Sequence, residues 1–97
     1  NAPRPKMTKK RDKLQVIYDM LKIIQDHRNE IKPTPLLRYS NLSSQRFTEY
    51  MKGLKERQLV QEHQDKKGRK HISLTDQGFN YLEKYKMILG FIEDFNL

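Results

Sequence analysis

The chain has 97 residues and a net charge of +8; 35% of its residues are hydrophobic, 33% are charged and none is cysteine. This length suits one domain with a small core, and the lack of cysteine excludes disulfides and thiolate catalysis and fits a reducing cytoplasm. No apolar run approaches the roughly 20 residues that cross a bilayer, and none follows the basic N-terminus, so we expect neither a membrane span nor a secretory signal.

The positive charge is unevenly distributed. Residues 1–13 carry six Lys or Arg and one acid, whereas residues 75–97 carry two bases and four acids. Such clustering favours a polyanionic partner, because Lys and Arg displace counterions from phosphates; a merely soluble basic protein is the alternative. Residues 1–10 are predicted to be a flexible basic tail that either binds DNA as an arm or only promotes solubility. The cations of this segment and its continuation are Arg4, Lys6, Lys9, Lys10, Arg11 and Lys13.

A first helix is predicted over Arg11–Arg28, because apolar residues recur there at helical spacing. Asn29 is a typical stop signal. The residue before a proline is driven towards extended backbone, so the segment before Pro33 predicts a short extended piece at Ile31. The apolar stripe comprises Leu14, Ile17, Tyr18, Leu21 and Ile24, widened by Val16, Met20 and Ile23.

A short second helix is predicted to start with Thr34 as its N-cap and Pro35 at its first position. It would bury Leu36, Leu37 and Tyr39. A tight turn at residues 40–42 follows, where Asn41 tolerates left-handed backbone. A third helix, capped by Ser43 or Ser44, is predicted to run to about Gln58, with Phe47, Tyr50, Met51 and Leu54 on its inner face.

Two short strands, Leu59–Gln64 and Lys70–Leu74, are predicted on either side of a turn at residues 65–68 that ends in glycine. Ile72 and Leu74 would alternate inward. Thr75 and Asp76 then cap a final helix that runs almost to residue 97. The fold class is therefore mainly α with a small β component (α+β): a winged helix-turn-helix with a short β-hairpin wing and a long C-terminal helix.

Three stretches resemble the small archaeal winged helix-turn-helix DNA-binding family, which includes ten-kilodalton chromatin-type proteins that dimerise through a C-terminal coiled coil. They are TPLLRYSNLS at residues 34–43, YMKGLKERQLV at 50–60 and ISLTDQGFNYL at 72–82. The resemblance covers residues 14 to about 90 and implies DNA binding by a homodimer. The wing is longer and more basic than in the plainest members, and the last helix ends early, so any coiled coil would be short.

The outer face of the third helix is the candidate for contacts with double-stranded DNA, since an α-helix fits the major groove. Ser44 and Gln45 stand where a helix enters the groove, and Gln can bond adenine with two hydrogen bonds. Glu49 faces the same way and opposes tight non-specific binding; an ordinary solvated face is the alternative. The candidate DNA-binding residues are Ser44, Gln45, Arg46, Thr48, Lys52 and Lys55 of the helix and Lys66, Lys67, Arg69 and Lys70 of the wing.

The final helix is more apolar than so small a domain needs. A helix of about 20 residues is about 30 Å long, so its last turns would overhang the core and offer an association surface. Folding back onto the first helix within one chain is the alternative. We predict a flexible tail at 1–10, a DNA-binding domain at 11–78 and a dimerisation helix at 79–97. The candidate dimerisation residues are Leu82, Tyr85, Ile88, Leu89, Ile92 and Phe95.

The sequence predicts no enzyme and no cofactor, because it shows no catalytic triad, phosphate loop or carboxylate pair. The hairpin would bring His63 near His71, yet no third ligand stands at a spacing typical of zinc sites. The predicted function is a cytoplasmic, nucleoid-associated transcription regulator or chromatin-type homodimer on double-stranded DNA, without a small-molecule substrate. The alternatives are a winged-helix protein-interaction module and RNA binding. RNA binding lacks the support of aromatic residues that would be exposed on a sheet and stack on bases.

Overall fold

A computed structural model describes residues 12–97, which form four helices and one two-stranded antiparallel sheet. The elements in chain order are α1 (Lys13–Asp26), α2 (Pro33–Ser40), α3 (Ser44–Glu56), β1 (Val60–Gln64), β2 (Lys70–Leu74) and α4 (Asp76–Asp94). This order confirms the predicted fold class of a mainly helical winged helix-turn-helix. Within residues 12–97, no helix is both long enough and apolar enough to span a bilayer.

The helix starts are set by side chains that accept hydrogen bonds from backbone N–H groups without a partner inside the helix. Ser43 accepts from Arg46 N at 3.2 Å and Thr75 accepts from Gly78 N at 3.1 Å, so both predicted caps are confirmed. The prediction for α2 was wrong, because this helix begins at Pro33 and Lys32 occupies the N-cap without a side-chain cap bond. Proline at the first helical position already has the helical φ angle, which moves the start ahead of Thr34.

The turn between α2 and α3 fixes the relative placement of these two helices. Asn41 adopts the predicted left-handed conformation, with φ of 61°. Ser40 is buried, and its hydroxyl donates to the Leu37 carbonyl at 2.8 Å, which satisfies one of the last carbonyls of α2.

The hairpin pairs Val60 with Leu74 and Gln64 with Lys70. Ile31 adds the predicted extended piece beside β2, because its N–H and C=O both bond Ile72, at 3.0 and 2.8 Å. Asn29 has left-handed φ of 59°, and its side-chain oxygen accepts from Leu74 N at 2.7 Å. The loop after α1 is thus hydrogen-bonded to the base of the wing.

The core lies where α1 packs against α2, β2 and the first half of α4. Two predicted core positions are wrong. Leu14 is 51% exposed, because it lies in the first turn of α1 at the edge of the body. Tyr39 is 55% exposed, and its ring contacts the His27 ring in a tilted arrangement with centroids 5.1 Å apart. The buried apolar residues are Val16, Ile17, Met20, Leu21, Ile24, Ile31, Leu36, Met51, Leu54, Leu59, Val60, Ile72, Leu74 and Leu82.

Helix α4 has two differently packed halves. Gly78 and Leu82 are buried, and the Tyr85 ring lies 4.8 Å from that of Tyr18 on α1. From residue 86 onwards every residue is exposed except Gly90, which is half-buried. The described part of the chain is accordingly elongated, with extents of 55 × 27 × 22 Å. We refer to residues 86–97 as the overhang.

Candidate nucleic-acid interface

The outer face of α3 is polar and exposed. The turn at Asn41 and the Ser43 cap orient the first residues of α3, where Ser44 and Gln45 are both exposed. Glu49, Lys52 and Glu56 follow along the same side. The arrangement leaves the donors and acceptors of Ser44 and Gln45 accessible at the N-terminal end of the helix.

The flanks of α3 carry the other two candidates. The Arg46 guanidinium lies over the Tyr50 ring, 5.7 Å from its centre, an interaction that orients the cation while leaving it exposed. Thr48 donates its hydroxyl hydrogen to the Ser44 carbonyl at 3.0 Å. Thr48 therefore keeps only acceptor capacity for a ligand unless that bond breaks.

The wing is closed by a tight turn at residues 65–68. Gly68 has φ of 80°, which glycine adopts without strain. Lys66 and Lys67 are exposed at the tip, Lys70 is exposed at the start of β2, and no ion pair within residues 12–97 involves these three lysines. The wing thus presents three cations to solvent.

A cleft of about 360 Å³ separates α3 from the wing. Lys52 and Lys55 line it from α3, and Lys70 lines it from β2. Lys55 also forms an ion pair with Glu62 of β1 at 3.1 Å, which spans the cleft and partly neutralises it. The outer side of α3 and the wing therefore make one surface with a positive excess; we call this the α3–wing surface.

One polar cluster at the base of the wing escaped the sequence analysis. His71 is mostly covered, with its Nδ1 3.0 Å from Glu30 and its Nε2 3.1 Å from Asp65. The predicted approach of His63 to His71 is confirmed, since their rings stack at 5.5 Å. Over residues 12–97, no three His, Cys, Asp or Glu side chains converge as a metal site. The only sequence signal for this cluster is the Asp-x-x-Gly turn.

The candidate dimerisation residues fall into two groups. Leu82 is 1% exposed in the core of its own chain and Tyr85 is half-buried against α1, so the structure removes Leu82 from the exposed set. Heptad spacing included it because the same face of α4 first packs within the chain. The exposed members are Ile88, Leu89, Ile92 and Phe95, accompanied by Met87, Phe91 and Leu97.

The family comparison matches residues 10–92 to the winged helix-turn-helix family. No curated protein matches the sequence. Among solved structures, Sso10a-2, a DNA-binding protein from Sulfolobus solfataricus, superposes with a TM-score of 0.73 at 13% identity, over 89% of this chain and 86% of that one.

Two further solved structures share the fold. A winged-helix DNA-binding protein from STIV gives a TM-score of 0.67 at 14% identity, over 82% of this chain and 91% of that one. MepR, a transcription regulator of the Staphylococcus aureus multidrug efflux pump MepA, gives 0.72 at 18% identity; 81% of this chain spans 59% of MepR. A MepR mutant bound to an oligodeoxyribonucleotide superposes equally well, with a TM-score of 0.71 at 17% identity over the same shares of the two chains.

Proposed function

Because the chain belongs to the winged helix-turn-helix family, we propose that it binds double-stranded DNA as a homodimer, in the role of a transcription regulator or chromatin-type protein. The observation that carries the proposal is the exposed α3–wing surface, in which a polar helix face lies beside a turn whose lysines form no ion pair with residues 12–97. The family is not one of enzymes. Such a protein would act in the cytoplasm, on the nucleoid.

The chemistry of the surface suits a division between residues that recognise base sequence and residues that bind the phosphate backbone. With α3 in the major groove, Gln45 would reach adenine edges and Arg46 a guanine or a phosphate. Lys67 and the neighbouring wing cations would lie on the adjacent phosphates or in the minor groove, where the potential is negative. Contacts of the second kind provide affinity without sequence preference.

The solved relatives support this proposal at the level of fold. Sso10a-2 and the STIV protein are described as DNA-binding, and the MepR mutant is bound to an oligodeoxyribonucleotide. Each shares the winged-helix arrangement with this chain at 18% identity or less. The residues that would contact DNA here are accordingly proposed from this chain's own surface.

The overhang is the proposed dimerisation surface. Its large apolar side chains remain between 41% and 81% exposed in one chain, which is unfavourable for an isolated helix in water. A second copy would cover them through a two-fold interface, the commonest arrangement of homo-oligomers. We place the start of this segment after Tyr85, rather than at residue 79, since the first half of α4 completes the core. Two α3 helices could then meet DNA about one helical turn, roughly 34 Å, apart.

Equilibrium binding to two duplexes tests the DNA-binding role: one duplex enriched by selection from a random pool, and one of random sequence. Gln45→Ala should weaken binding to the selected duplex by about 1–3 kcal/mol and leave random duplex nearly unaffected. Lys67→Ala should weaken both equally and lower the salt slope by about one. Lys84→Ala, on α4, is the matched lysine control and should change neither. An equal loss on both duplexes for Gln45→Ala would refute its reading role.

Sedimentation over a range of concentrations tests the dimer. The wild-type protein should sediment at twice the chain mass of 11.7 kDa, and Ile92→Asp should sediment as a folded monomer. The exposed polar substitution Lys84→Gln should leave the dimer intact. A wild-type monomer that binds no duplex would instead favour the second candidate, a protein-interaction module that uses the apolar overhang for a different protein.

A further inference from the structure

We propose that Asp65 is a positioning residue for DNA binding, which holds the guanidinium of Arg69 so that its free N–H groups meet a DNA phosphate. The inference rests on the proposed function and adds to it an acidic residue that promotes binding to a polyanion. It also assigns the role of phosphate ligand on the wing to Arg69 in particular, rather than to the wing's positive charge in general.

Asp65 accepts three hydrogen bonds in the wing turn, and a ring nitrogen of His71 lies at hydrogen-bond distance. Its Oδ1 accepts from the backbone N–H groups of Lys67 and Arg69, at 2.9 and 3.0 Å. Its Oδ2 accepts from Arg69 Nε at 2.9 Å and faces His71 Nε2 at 3.1 Å. The backbone bond from Arg69 and then the bond from His71 hold the pKa of the Asp65 carboxyl well below its usual range. The carboxylate is therefore charged at neutral pH.

The contact with Asp65 uses only the Nε–H of Arg69. The guanidinium carries five N–H donors in a rigid plane, so four remain, and among residues 12–97 no side chain or carbonyl accepts from them. The Arg69 side chain is still 54% exposed. A guanidinium held in this way has two NH₂ groups ready for bidentate bonding to phosphate, and binding requires less ordering of the side chain.

The cluster also anchors the turn to the helical body. His71 lies between Asp65 of the wing and Glu30 of the loop before α2. Each ring nitrogen faces a carboxylate oxygen, and both can donate only when the ring is protonated. Stacked His63 faces it from β1, while His27, Arg28 and Lys32 line the same shallow cleft as His71. Asp65 thereby positions Arg69 relative to α3 and the rest of the body.

Charge alone and positioning predict opposite changes in DNA affinity when Asp65 is neutralised, so the direction of the change distinguishes them. Asp65→Asn removes a negative charge from the α3–wing surface, so simple electrostatics predicts tighter binding to DNA. The substitution preserves Oδ1 as an acceptor for the two backbone N–H groups, so the turn should persist. It weakens the contacts of the carboxylate with Arg69 and His71, so positioning predicts weaker binding.

The experiment measures the affinity for a random-sequence duplex at several salt concentrations with wild type, Asp65→Asn, Arg69→Ala and the double variant. Each single variant should bind about fivefold more weakly, with a salt slope reduced by about one, the loss of one phosphate contact. The double variant should be no worse than Arg69→Ala, because Asp65 acts through Arg69. Glu62→Gln is the matched control: it also removes an acid from the wing, frees Lys55, and should bind as tightly as wild type or more tightly.

The Nε–H resonance of Arg69 in the free protein gives a readout without DNA. It should be protected and rigid in wild type and should become mobile in Asp65→Asn, while circular dichroism remains unchanged. Arg69→Lys, which keeps the charge but lacks the planar fork, should recover only part of the affinity lost in Arg69→Ala. Equal or tighter binding by Asp65→Asn, or additive losses in the double variant, would overturn the inference alone. A wild-type protein without affinity for duplex DNA would overturn the proposed function together with it.

Discussion

Substituting Gly78 by alanine should destabilise the protein although the site lies in a helix. Gly78 is in the first turn of α4 and is buried. An added Cβ would overlap the Leu59 carbonyl oxygen and approach Leu74 Cβ to 3.3 Å. The Leu59 carbonyl also accepts the N–H of Thr75, at 3.1 Å. The obstacle is therefore backbone that is fixed by its own hydrogen bond.

The magnitude follows from two opposing contributions. Alanine is favoured over glycine in helices by about 1 kcal/mol. Overpacking against a rigid neighbour costs about 1–3 kcal/mol, and a backbone obstacle places Gly78→Ala at the upper end of that range. The net loss in the free energy of unfolding is about 2 kcal/mol, which corresponds to a fall in Tm of roughly 10 °C for a domain of this size.

Gly53→Ala is the matched control within α3. Its Cβ would meet the Arg57 Nη1 atom at 2.8 Å, the mobile end of an exposed side chain, whose 3.2 Å bond to the Gly53 carbonyl it would displace. Helix propensity should outweigh that exposed bond and stabilise the fold by about 0.5 kcal/mol. Urea unfolding at one fixed protein concentration measures both variants. A Gly78→Ala protein as stable as wild type would refute the reasoning, as would equal destabilisation of both.

Three further predictions concern polar contacts. Burial raises the pKa of Tyr81 to about 12, so its contribution to stability is complete below its ordinary value of 10 and is lost as the pH rises towards 12. Burial also raises the pKa of Tyr85, so an absorbance titration should show a late-ionising tyrosine signal that is reduced in Tyr81→Phe. The pKa of Asp65 is lowered from 3.8, chiefly by the backbone N–H of Arg69, so the wing should loosen as the pH falls below that value, with faster amide exchange at Lys67 as the measurement. Asn29→Ala leaves the Leu74 N–H without its acceptor and forces alanine into left-handed backbone. It should lower the free energy of unfolding measured in urea by about 2 kcal/mol, whereas Asn29→Asp should retain most of the stability.

The elements were predictable where burial and capping leave a mark on neighbouring residues. The apolar residues on the inner face of α3 recur at helical spacing. Thr75 precedes α4 and accepts a hydrogen bond from the Gly78 N–H in its first turn. The start of α2 was not predictable in the same way, because Pro33 and Pro35 both suit a first helical position. Leu14 fits the periodicity of α1 yet is exposed, since periodicity does not tell how far the body extends along a helix.

The candidate interface was predictable as residue types but not as contacts. The sequence shows that the wing is rich in lysine, and α3 was found with its outer residues exposed. The pairing of Lys55 with Glu62 depends on how the hairpin lies against α3. The position of His71 between Glu30 and Asp65 depends on a contact 41 residues away in sequence, which no local pattern encodes.

The heptad pattern of α4 could not reveal where along the helix its apolar face stops packing against its own chain. Leu82, Tyr85, Leu89 and Ile92 share one spacing, but only the first two are covered within the chain. Tyr81 and Tyr85 contact Leu14 and Tyr18 of α1, whereas beyond residue 85 the same apolar face continues into solvent, with Leu89 42% and Ile92 41% exposed. In the dimer that we propose, a second copy would cover this end of the apolar face, so that α4 would join the core of one chain to the interface between two.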